Sequence, residues 1–387
     1  MTRGFPEAEY QVRLRNAQQG MAEVGISALL LTGEADLRYF SGFLTRFWES
    51  PCRPWYLIVP AAGTPVAVIP QIGRHLMHQT WLRDIRTWDA PADPDDGLDL
   101  LVQALRDVCG SGGRVAFPDR QGSTFRMPLG VYRRLLDDMQ DTSFVSDGGL
   151  VAGLRQIKSA AEIDKIETAC AIASRAFSRV HEIAKAGCTL EEVFRKTQQL
   201  CLQEGADWVP YLAGACGPGG YGDVISPASA QELSPGDVLM LDIGLVWDGY
   251  FCDFDRNFAI GPADPATQAA HRCLIDAVDA AVEILRPGCT LGDVHAAMAQ
   301  VLTTGHKPLA SGRLGHGLGM QLTEGLSILP GSDVEVAENM VLTLEPVAMT
   351  GPDRIMVHEE NIVVKAQGCR FLSKRSGTDI KVLEGSV

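Results

Sequence analysis

Apolar residues in the first 150 positions occur partly at helical spacing and partly in short continuous runs. The helical spacing predicts amphipathic helices over residues 10–24 and 97–108. Short apolar runs bounded by glycine or proline predict buried strands of an α/β layer at residues 28–31, 56–59, 66–69 and 114–117. The acidic, proline-containing segment 91–96 is typical of a surface loop.

The pattern changes at residue 154, where a long helical periodicity rich in alanine and charged residues begins. We therefore predict an α/β N-terminal domain over residues 1–153 and a second domain over residues 154–387. In the second domain, two helical stretches precede a strand-rich region near 236–260. Two more helical stretches precede a final strand-rich region from about 311 to 383.

The second domain contains an internal repeat. The segment GCTLEEV at 187–193 recurs as GCTLGDV at 288–294, an offset of 101 residues. In each copy a helix ends at the glycine, and a threonine followed by an acid three residues later begins the next helix as a capping box. We predict a duplicated α+β unit with a pseudo-two-fold axis, and an interface of that kind is a favoured place for a pocket.

One hairpin carries the strongest pattern for chemistry. Two apolar runs flank an Asp-Gly dipeptide at 248–249, which is typical of a two-residue hairpin turn. With the turn at these residues, Asp242 lies directly opposite Asp255. In the same register Asp253 lies opposite Gly244, and the missing side chain leaves room for an ion.

Three aspartates therefore share one face of a largely apolar hairpin. Their charges repel one another unless their pKa values rise or a cation lies among them. The apolar residues around Asp242 indicate burial, so we predict a metal site rather than a solvated acidic edge. The adjacent Arg256 is expected to neutralise part of the aspartate charge rather than to touch substrate.

Further metal-binding residue types occur in three later segments. His316 stands between glycines in LGHGLGM, and Glu345 ends an apolar strand just before a proline. A strand predicted over 356–364 carries Glu359 on one face and the pair His358 and Glu360 on the other. The spacing alone does not decide which face enters the site.

In their order along the chain, these segments resemble the creatinase, aminopeptidase P and prolidase family of pita-bread metallohydrolases. The resemblance covers nearly the whole chain, including residues 9–43 at the start and the interdomain segment 154–173. It implies a creatinase-like N-terminal α/β domain followed by a pita-bread catalytic domain. It also implies two divalent metal ions and selects Glu359 over its neighbours, giving the ligand set Asp242, Asp253, His316, Glu345 and Glu359.

Oxygen-rich coordination with one imidazole suits Mn²⁺, Fe²⁺ or Co²⁺, with Zn²⁺ as an alternative. Two such ions lower the pKa of a shared water and polarise a carbonyl group. The resemblance therefore implies hydrolysis of a peptide or other amide C–N bond, with Glu345 as the proton acceptor.

The sequence departs from the proline peptidases of this family at three positions. Val224 and Thr323 stand where those enzymes carry histidines that orient substrate and handle protons, and Asp255 stands where threonine is usual. The metal site matches while the peptide-cleaving residues differ. An alternative is therefore a recruited family member, such as a dimethylsulfoniopropionate lyase that uses extra carboxylate ligation or a creatinase-like amidinohydrolase. A non-enzymatic binding module is disfavoured because all five ligands are present.

Several residues are candidates for contacting substrate or supporting the ligands. They are Asp255, Thr323, Glu324, Tyr211, Trp208, Arg46 and Trp48. For Trp208 and Tyr211, core packing is the alternative to lining a pocket. Arg46 and Trp48 lie in an N-terminal loop, which in related dimers reaches the active site of the second subunit; simple surface exposure is the alternative. The resemblance thus implies a homodimer acting on a dipeptide or another small molecule.

Composition excludes other classes of function. The 387 residues carry a formal net charge of −14 and no basic block, which disfavours nucleic acid and anionic membranes as partners. No apolar run reaches the roughly 18 residues of a membrane-spanning helix. The ten cysteines are scattered and the N-terminus lacks the apolar core of a signal peptide, so we expect a cytoplasmic protein with reduced thiols.

Overall fold

The computed structural model describes residues 3–50, 53–305 and 312–383. The chain divides into two compact units, Met1–Arg155 and Gln156–Val387. The predicted domain boundary between residues 153 and 154 lies two residues before this division.

The first unit alternates helices and strands. Their bounds are α1 (Glu7–Val24), β1 (Ala28–Leu31), α2 (Glu34–Ser41), β2 (Tyr56–Pro60), β3 (Val66–Pro70), α3 (Arg74–Met77), β4 (Asp84–Trp88), α4 (Leu98–Cys109), β5 (Arg114–Phe117), α5 (Leu129–Asp138), β6 (Ser143–Ser146) and α6 (Leu150–Gln156). The strands form a mixed sheet in the order β4-β3-β2-β1-β5-β6. Leu30 and Val68 of this sheet share a buried cluster with Leu101 and Leu105, so the apolar face of α4 covers the sheet.

The loop of the first unit that contains Trp48 and Trp55 is packed inside that unit. Trp48 is 4% exposed and Trp55 is 2% exposed, and their ring centroids lie 6.0 Å apart. The Arg126 guanidinium lies 5.5 Å from the Trp48 ring centroid. The alternative of simple surface exposure is therefore wrong for Trp48, whose ring packs against its own unit. Arg46 is exposed.

The second unit contains the remaining elements. Their bounds are α7 (Ala160–Ser178), α8 (Leu190–Gln203), β7 (Trp208–Pro218), β8 (Asp237–Trp247), β9 (Tyr250–Phe251), β10 (Phe254–Ile260), α9 (Pro265–Ile284), α10 (Leu291–Gly305), β11 (Val341–Leu344), β12 (Val347–Gly351), β13 (Arg354–Val357), β14 (Glu360–Lys365), β15 (Gly368–Phe371) and β16 (Lys381–Leu383). One sheet has the order β16-β10-β8-β7, and β11-β14-β15 form another.

The hairpin adopts the predicted register. Trp247 pairs with Tyr250 around the turn, and Asp242 pairs with Asp255. Every residue of β8 is buried, including its aspartates. The Asp-Gly turn thus fixes which carboxylates face one another, because in an antiparallel pair the turn determines the register of the whole ladder.

The internal repeat is visible in the second unit. The hydroxyls of Thr189 and Thr290 each accept a hydrogen bond from the main-chain N–H three residues later. The carboxylate of that later residue accepts one from the threonine N–H, so both copies form capping boxes. The glycine two residues before each threonine donates its N–H to a main-chain carbonyl, that of Leu233 in the first copy and that of Val336 in the second. The two acceptors lie 103 residues apart, close to the offset of the helices.

The helical stretch that begins at residue 154 consists of two helices rather than one. α6 ends at Gln156, and Ser159 caps α7 with its hydroxyl while Glu162 completes a capping box. No helix in the described ranges is both long and apolar enough to cross a membrane. The nine described cysteines are free thiols, and Cys52 lies outside the described residues.

Candidate metal centre

Three ligand-type side chains from distant segments meet in the second unit. His316 Nε2 lies 3.3 Å from Asp253 Oδ2 and 3.8 Å from Glu359 Oε1. One donor atom from each residue lies within 4.8 Å of the others, and all three residues are buried. This is a donor set that a divalent cation can bind.

The other two predicted ligands lie beside these three. Asp242 is buried in β8, and its Oδ2 accepts a hydrogen bond of 3.1 Å from the Tyr211 hydroxyl. Glu345 directly follows β11 and is half-buried. Its main-chain N–H donates to the Leu314 carbonyl at 3.0 Å. Burial and then the charge of Glu345 raise the pKa of Asp242 to about 7, as expected for neighbouring carboxylates.

The duplicated hairpins supply these carboxylates in equivalent ways. In the first hairpin, Asp242 is directly opposite Asp255. In the second, the β11–β14 ladder ends with Leu344 opposite Glu360, and the next positions are Glu345 and Glu359. Glu345 also lies 103 residues after Asp242, the same offset as between the carbonyl groups of Leu233 and Val336 that the two repeated glycines contact. The two halves of the unit therefore converge on one site.

Glycines allow the segment around His316 to approach β11. Gly315 has a φ of 138°, and a Cβ there would meet the Thr343 carbonyl oxygen. This close approach lets the His316 N–H donate to Thr343 Oγ1 at 3.1 Å. His316 Nδ1 lies 2.9 Å from the Gly317 carbonyl oxygen, which assigns the ring proton to Nδ1 and leaves the Nε2 lone pair for a metal. Burial and then the charge of Arg313 lower the pKa of His316 to about 4, so the ring is neutral.

Unpaired oxygens give the test of whether a cation fits. Among the described residues, Asp242 Oδ1, Asp253 Oδ1 and Glu359 Oε1 are buried and have no hydrogen-bond partner. Burial, followed by the charges of neighbouring carboxylates, raises the pKa values of Asp253 and Glu359 well above their usual range. Buried unpaired carboxylates are costly, and bound cations remove that cost. The donor set therefore fits divalent metal.

Asp255 has a different environment from the other acids. Its Oδ1 accepts a hydrogen bond from the Glu359 N–H, and its Oδ2 accepts one of 3.2 Å from Asn257 Nδ2. Both carboxylate oxygens are thus occupied by protein donors. Asp255 holds the main chain of Glu359 in place from behind rather than adding a further ligand.

His358 and Glu360 point away from Glu359, which resolves the choice that the strand pattern left open. Glu360 Oε1 lies 3.2 Å from His358 Nε2, and its Oε2 accepts a hydrogen bond of 2.9 Å from Arg256. Burial alone would raise the pKa of Glu360, but Arg256 and His358 outweigh it and lower this pKa to about 2. Arg256 therefore pairs with Glu360. Burial and the charge of Asp242 raise the pKa of Asp255, and the charge of Arg256 opposes this rise, in line with the expected partial neutralisation.

The space opposite Asp253 is not available to an ion. A Cβ at Gly244 would meet the side chains of Leu322 and Tyr211, so these two residues fill that position. The prediction of an ion above Gly244 is wrong, because the loop after His316 folds over the hairpin there. Trp208 pairs with Val246, four residues along β8 from Asp242.

Two further candidates belong to the loop after His316. The buried Glu324 carboxylate accepts hydrogen bonds of 2.9 Å from the Met320 N–H and 3.0 Å from Lys158 Nζ. Glu324 therefore closes the loop and fixes it to the start of the unit, which is a structural role rather than a substrate contact. Thr323 is exposed, and its hydroxyl accepts a hydrogen bond of 3.2 Å from Arg313.

Asn361 was not among the residues singled out from the sequence. Its Oδ1 accepts a 3.0 Å hydrogen bond from the Asp253 N–H, and its Nδ2 donates to the Asp253 carbonyl. Asn361 is fully buried, so this two-point contact fixes the main chain of Asp253. Strand alternation places Asn361 on the same face as Glu359, and that signal could have identified it.

Replacing Asn361 with leucine is expected to weaken metal binding by about 10- to 100-fold, the usual effect of losing a residue that orients a ligand. Calorimetric metal titration measures this change. Ser373→Ala is the matched control, because Ser373 accepts a hydrogen bond from the Asn361 N–H without touching Asp253. Equal losses in both variants would show that general strand destabilisation, and not ligand positioning, is the cause.

Comparison with known families agrees with this geometry. Residues 13–157 match the creatinase/prolidase N-terminal domain, and residues 164–366 match metallopeptidase family M24. The probable dipeptidase PepE of Mycobacterium tuberculosis is 30% identical over 371 residues, covering 94% of each chain. The Xaa-Pro dipeptidase of Pyrococcus horikoshii is 26% identical over 360 residues, covering 92% of this chain and 94% of that protein.

Solved structures match along nearly the whole chain. The dipeptidase PepE from Mycobacterium ulcerans has a TM-score of 0.84 at 28% identity and covers 99% of this chain and 100% of its own. A prolidase from Thermococcus sibiricus has a TM-score of 0.85 at 22% identity, with 96% and 99% covered, and bears on the fold alone. The predicted fold is confirmed, an α/β domain followed by a duplicated pita-bread domain. The chain belongs to metallopeptidase family M24 and is a metal-dependent hydrolase.

Proposed function

We propose that this protein is a dinuclear metallopeptidase that hydrolyses the peptide bond of dipeptides, Xaa-Pro dipeptides among them. The proposed ligands are Asp242, Asp253, His316, Glu345 and Glu359. The observation that carries the proposal is the buried donor cluster of Asp253, His316 and Glu359. Among the described residues, Asp242, Asp253 and Glu359 each also have a buried carboxylate oxygen without a hydrogen-bond partner. The names of the dipeptidase relatives support the substrate class.

The donor set favours two ions of Mn²⁺, Fe²⁺ or Co²⁺, with Zn²⁺ as the alternative. A bound pair of such ions supplies an activated water and polarises the scissile carbonyl. Four carboxylates and one imidazole are enough donors to hold two ions if some of the carboxylates bridge them.

Glu345 is the proposed proton acceptor. It is half-buried, while the other four proposed ligands are buried, so its carboxylate is the most open to a substrate. A carboxylate in that position takes the proton of the attacking water and returns it to the leaving amine. Because Val224 and Thr323 replace the two family histidines, Glu345 performs this transfer without an imidazole at either position.

The environment of Asp255 bears on the lyase alternative. Lyase chemistry with extra carboxylate ligation requires a free oxygen, and both oxygens of Asp255 accept hydrogen bonds from the protein. Metal-independent creatinase-like chemistry would leave the buried oxygens of Asp242 and Asp253 without compensation. Both observations support the peptidase proposal. A cytoplasmic homodimer is part of the proposal, on the basis of the family resemblance and sequence features described above.

Purified protein is expected to contain about two transition-metal ions per chain, as a dinuclear site requires, and to release amino acids from dipeptides. Metal analysis and a substrate panel test this, with Xaa-Pro dipeptides, other dipeptides, dimethylsulfoniopropionate and creatine. An Asp253→Asn preparation, purified in parallel, measures any contaminating peptidase. Acrylate release, full activity without metal, or a metal-loaded protein inert to every dipeptide would each contradict the proposal.

A further inference from the structure

Arg313 is a half-buried arginine three residues before His316. Its Nη2 donates to Thr323 Oγ1 at 3.2 Å, and within the described residues it forms no ion pair with a carboxylate. A guanidinium carries five N–H donors in a rigid fork, so one hydroxyl leaves most of its donors available. An arginine in this state next to an acidic centre requires an explanation.

The position of Arg313 is fixed relative to the metal centre. The next residue, Leu314, accepts the main-chain N–H of Glu345 at 3.0 Å and donates its own N–H to Ile328. Arg313 is therefore held at the end of this ladder, beside the strand that carries Glu345. Burial raises the pKa of Glu345, and the charge of Arg313 opposes this rise. Burial and then the charge of Arg313 lower the pKa of His316. A cation that lies close to both residues has these effects.

An apolar wall adjoins this cation. Thr323, which contacts Arg313, is preceded by Leu322, whose side chain packs with Tyr211 over Gly244. Leu322 and Tyr211 are both half-buried, and the Tyr211 hydroxyl contacts Asp242. The centre is thus bordered by an apolar and aromatic surface that ends at an available guanidinium.

This arrangement matches the chemistry of a small peptide. Arginine binds carboxylates in a bidentate manner, with good geometric specificity. Charge compensation of the metal ligands does not explain the contact with Thr323, because this hydrogen bond directs one arm of the guanidinium to a neutral hydroxyl. A carboxylate of the substrate would accept hydrogen bonds from the remaining N–H groups of Arg313.

We propose that Arg313, oriented by Thr323, binds the α-carboxylate at the C-terminus of the dipeptide. This proposal rests on the proposed function and deepens it, since it restricts the substrates to peptides with a free carboxylate one residue after the cleaved bond. Leu322 and Tyr211 contact the apolar part of that residue.

The experiment compares a dipeptide with its C-terminal amide, using the metal-loaded enzyme. The wild type is expected to prefer the acid in kcat/KM by about 10- to 100-fold, the usual value of a charge-assisted contact. Arg313→Gln is expected to remove this preference by raising KM for the acid only, and Arg313→Lys to restore part of it. Arg272→Gln is the control, because Arg272 is an exposed arginine that pairs with Asp379.

A binding measurement separates this proposal from the proposed function. Calorimetry measures binding without turnover. The first ligand is a dipeptide whose peptide carbonyl is reduced to methylene, and the second is the same compound with a C-terminal carboxamide. Carboxylate-dependent binding that is lost in Arg313→Gln supports the inference even if no peptide is cleaved. The absence of cleavage would refute only the proposed peptidase activity. Equal losses on acid and amide, no acid preference in the wild type, or no binding of either compound would overturn the role of Arg313.

Discussion

Replacing Asp253 with asparagine is expected to lower kcat by more than about 100-fold, beyond the usual effect of losing a residue that merely orients a ligand. Asp253 is within 3.3 Å of His316 Nε2 and has a buried oxygen with no hydrogen-bond partner among the described residues. The amide is nearly isosteric, so packing is preserved while the negative charge is lost. Metal content is expected to fall with activity.

The same variant is expected to melt at a higher temperature than the wild type when both are free of metal. Burial, and then the charges of Asp242 and Glu345, raise the pKa of Asp253, so its ionised form destabilises the metal-free fold. Differential scanning calorimetry of chelated samples measures this. Asp237→Asn is the control, because Asp237 is buried in the same hairpin and accepts a hydrogen bond from the Ser234 N–H. A variant that keeps its metal and wild-type turnover would contradict the ligand assignment.

The parts of the site that were predictable depend on local rules. The Asp-Gly turn determines the hairpin register, so the pairing of Asp242 with Asp255 followed from a dipeptide. The choice of Glu359 over Glu360 did not follow from spacing, because the chain leaves β13 at Val357 and enters β14 only at Glu360. Family resemblance was needed there.

Other features depend on tertiary contacts that no local pattern encodes. Leu322 adjoins the centre because the loop after His316 folds over the hairpin, and Arg313 does so because the adjacent Leu314 pairs with Glu345. Strand β7 lies outside the regions that were predicted to be rich in strands, and a Cβ at its Gly214 would meet the Met240 carbonyl oxygen of the neighbouring strand. The exposed or half-buried edge strands β4 and β6 lack the apolar runs that identified the central strands.

Metal removal is expected to make the stability of the protein fall as the pH rises from about 6.5 to 8. In the metal-free fold, burial and then Glu345 raise the pKa of Asp242 from 3.8 to about 7. Burial and mutual repulsion raise the pKa values of Asp253 and Glu359 well above their usual range. In this interval the folded state therefore binds more protons than the unfolded state, and stability is lost with increasing pH.

The pH interval matters because buried histidines act in the opposite direction. Burial lowers the pKa values of His316 and His271 to about 4 from 6.5, so they favour folding as the pH rises between those values. About one pH unit above 6.5 the histidines are largely neutral in the unfolded state as well, so the carboxylates set most of the slope toward pH 8. Melting curves of chelated and metal-reconstituted samples at pH 6.5 and 8 measure it. Bound cations stabilise the ionised carboxylates, so the reconstituted protein is expected to show a much smaller slope; equal slopes would refute a cation site among these acids.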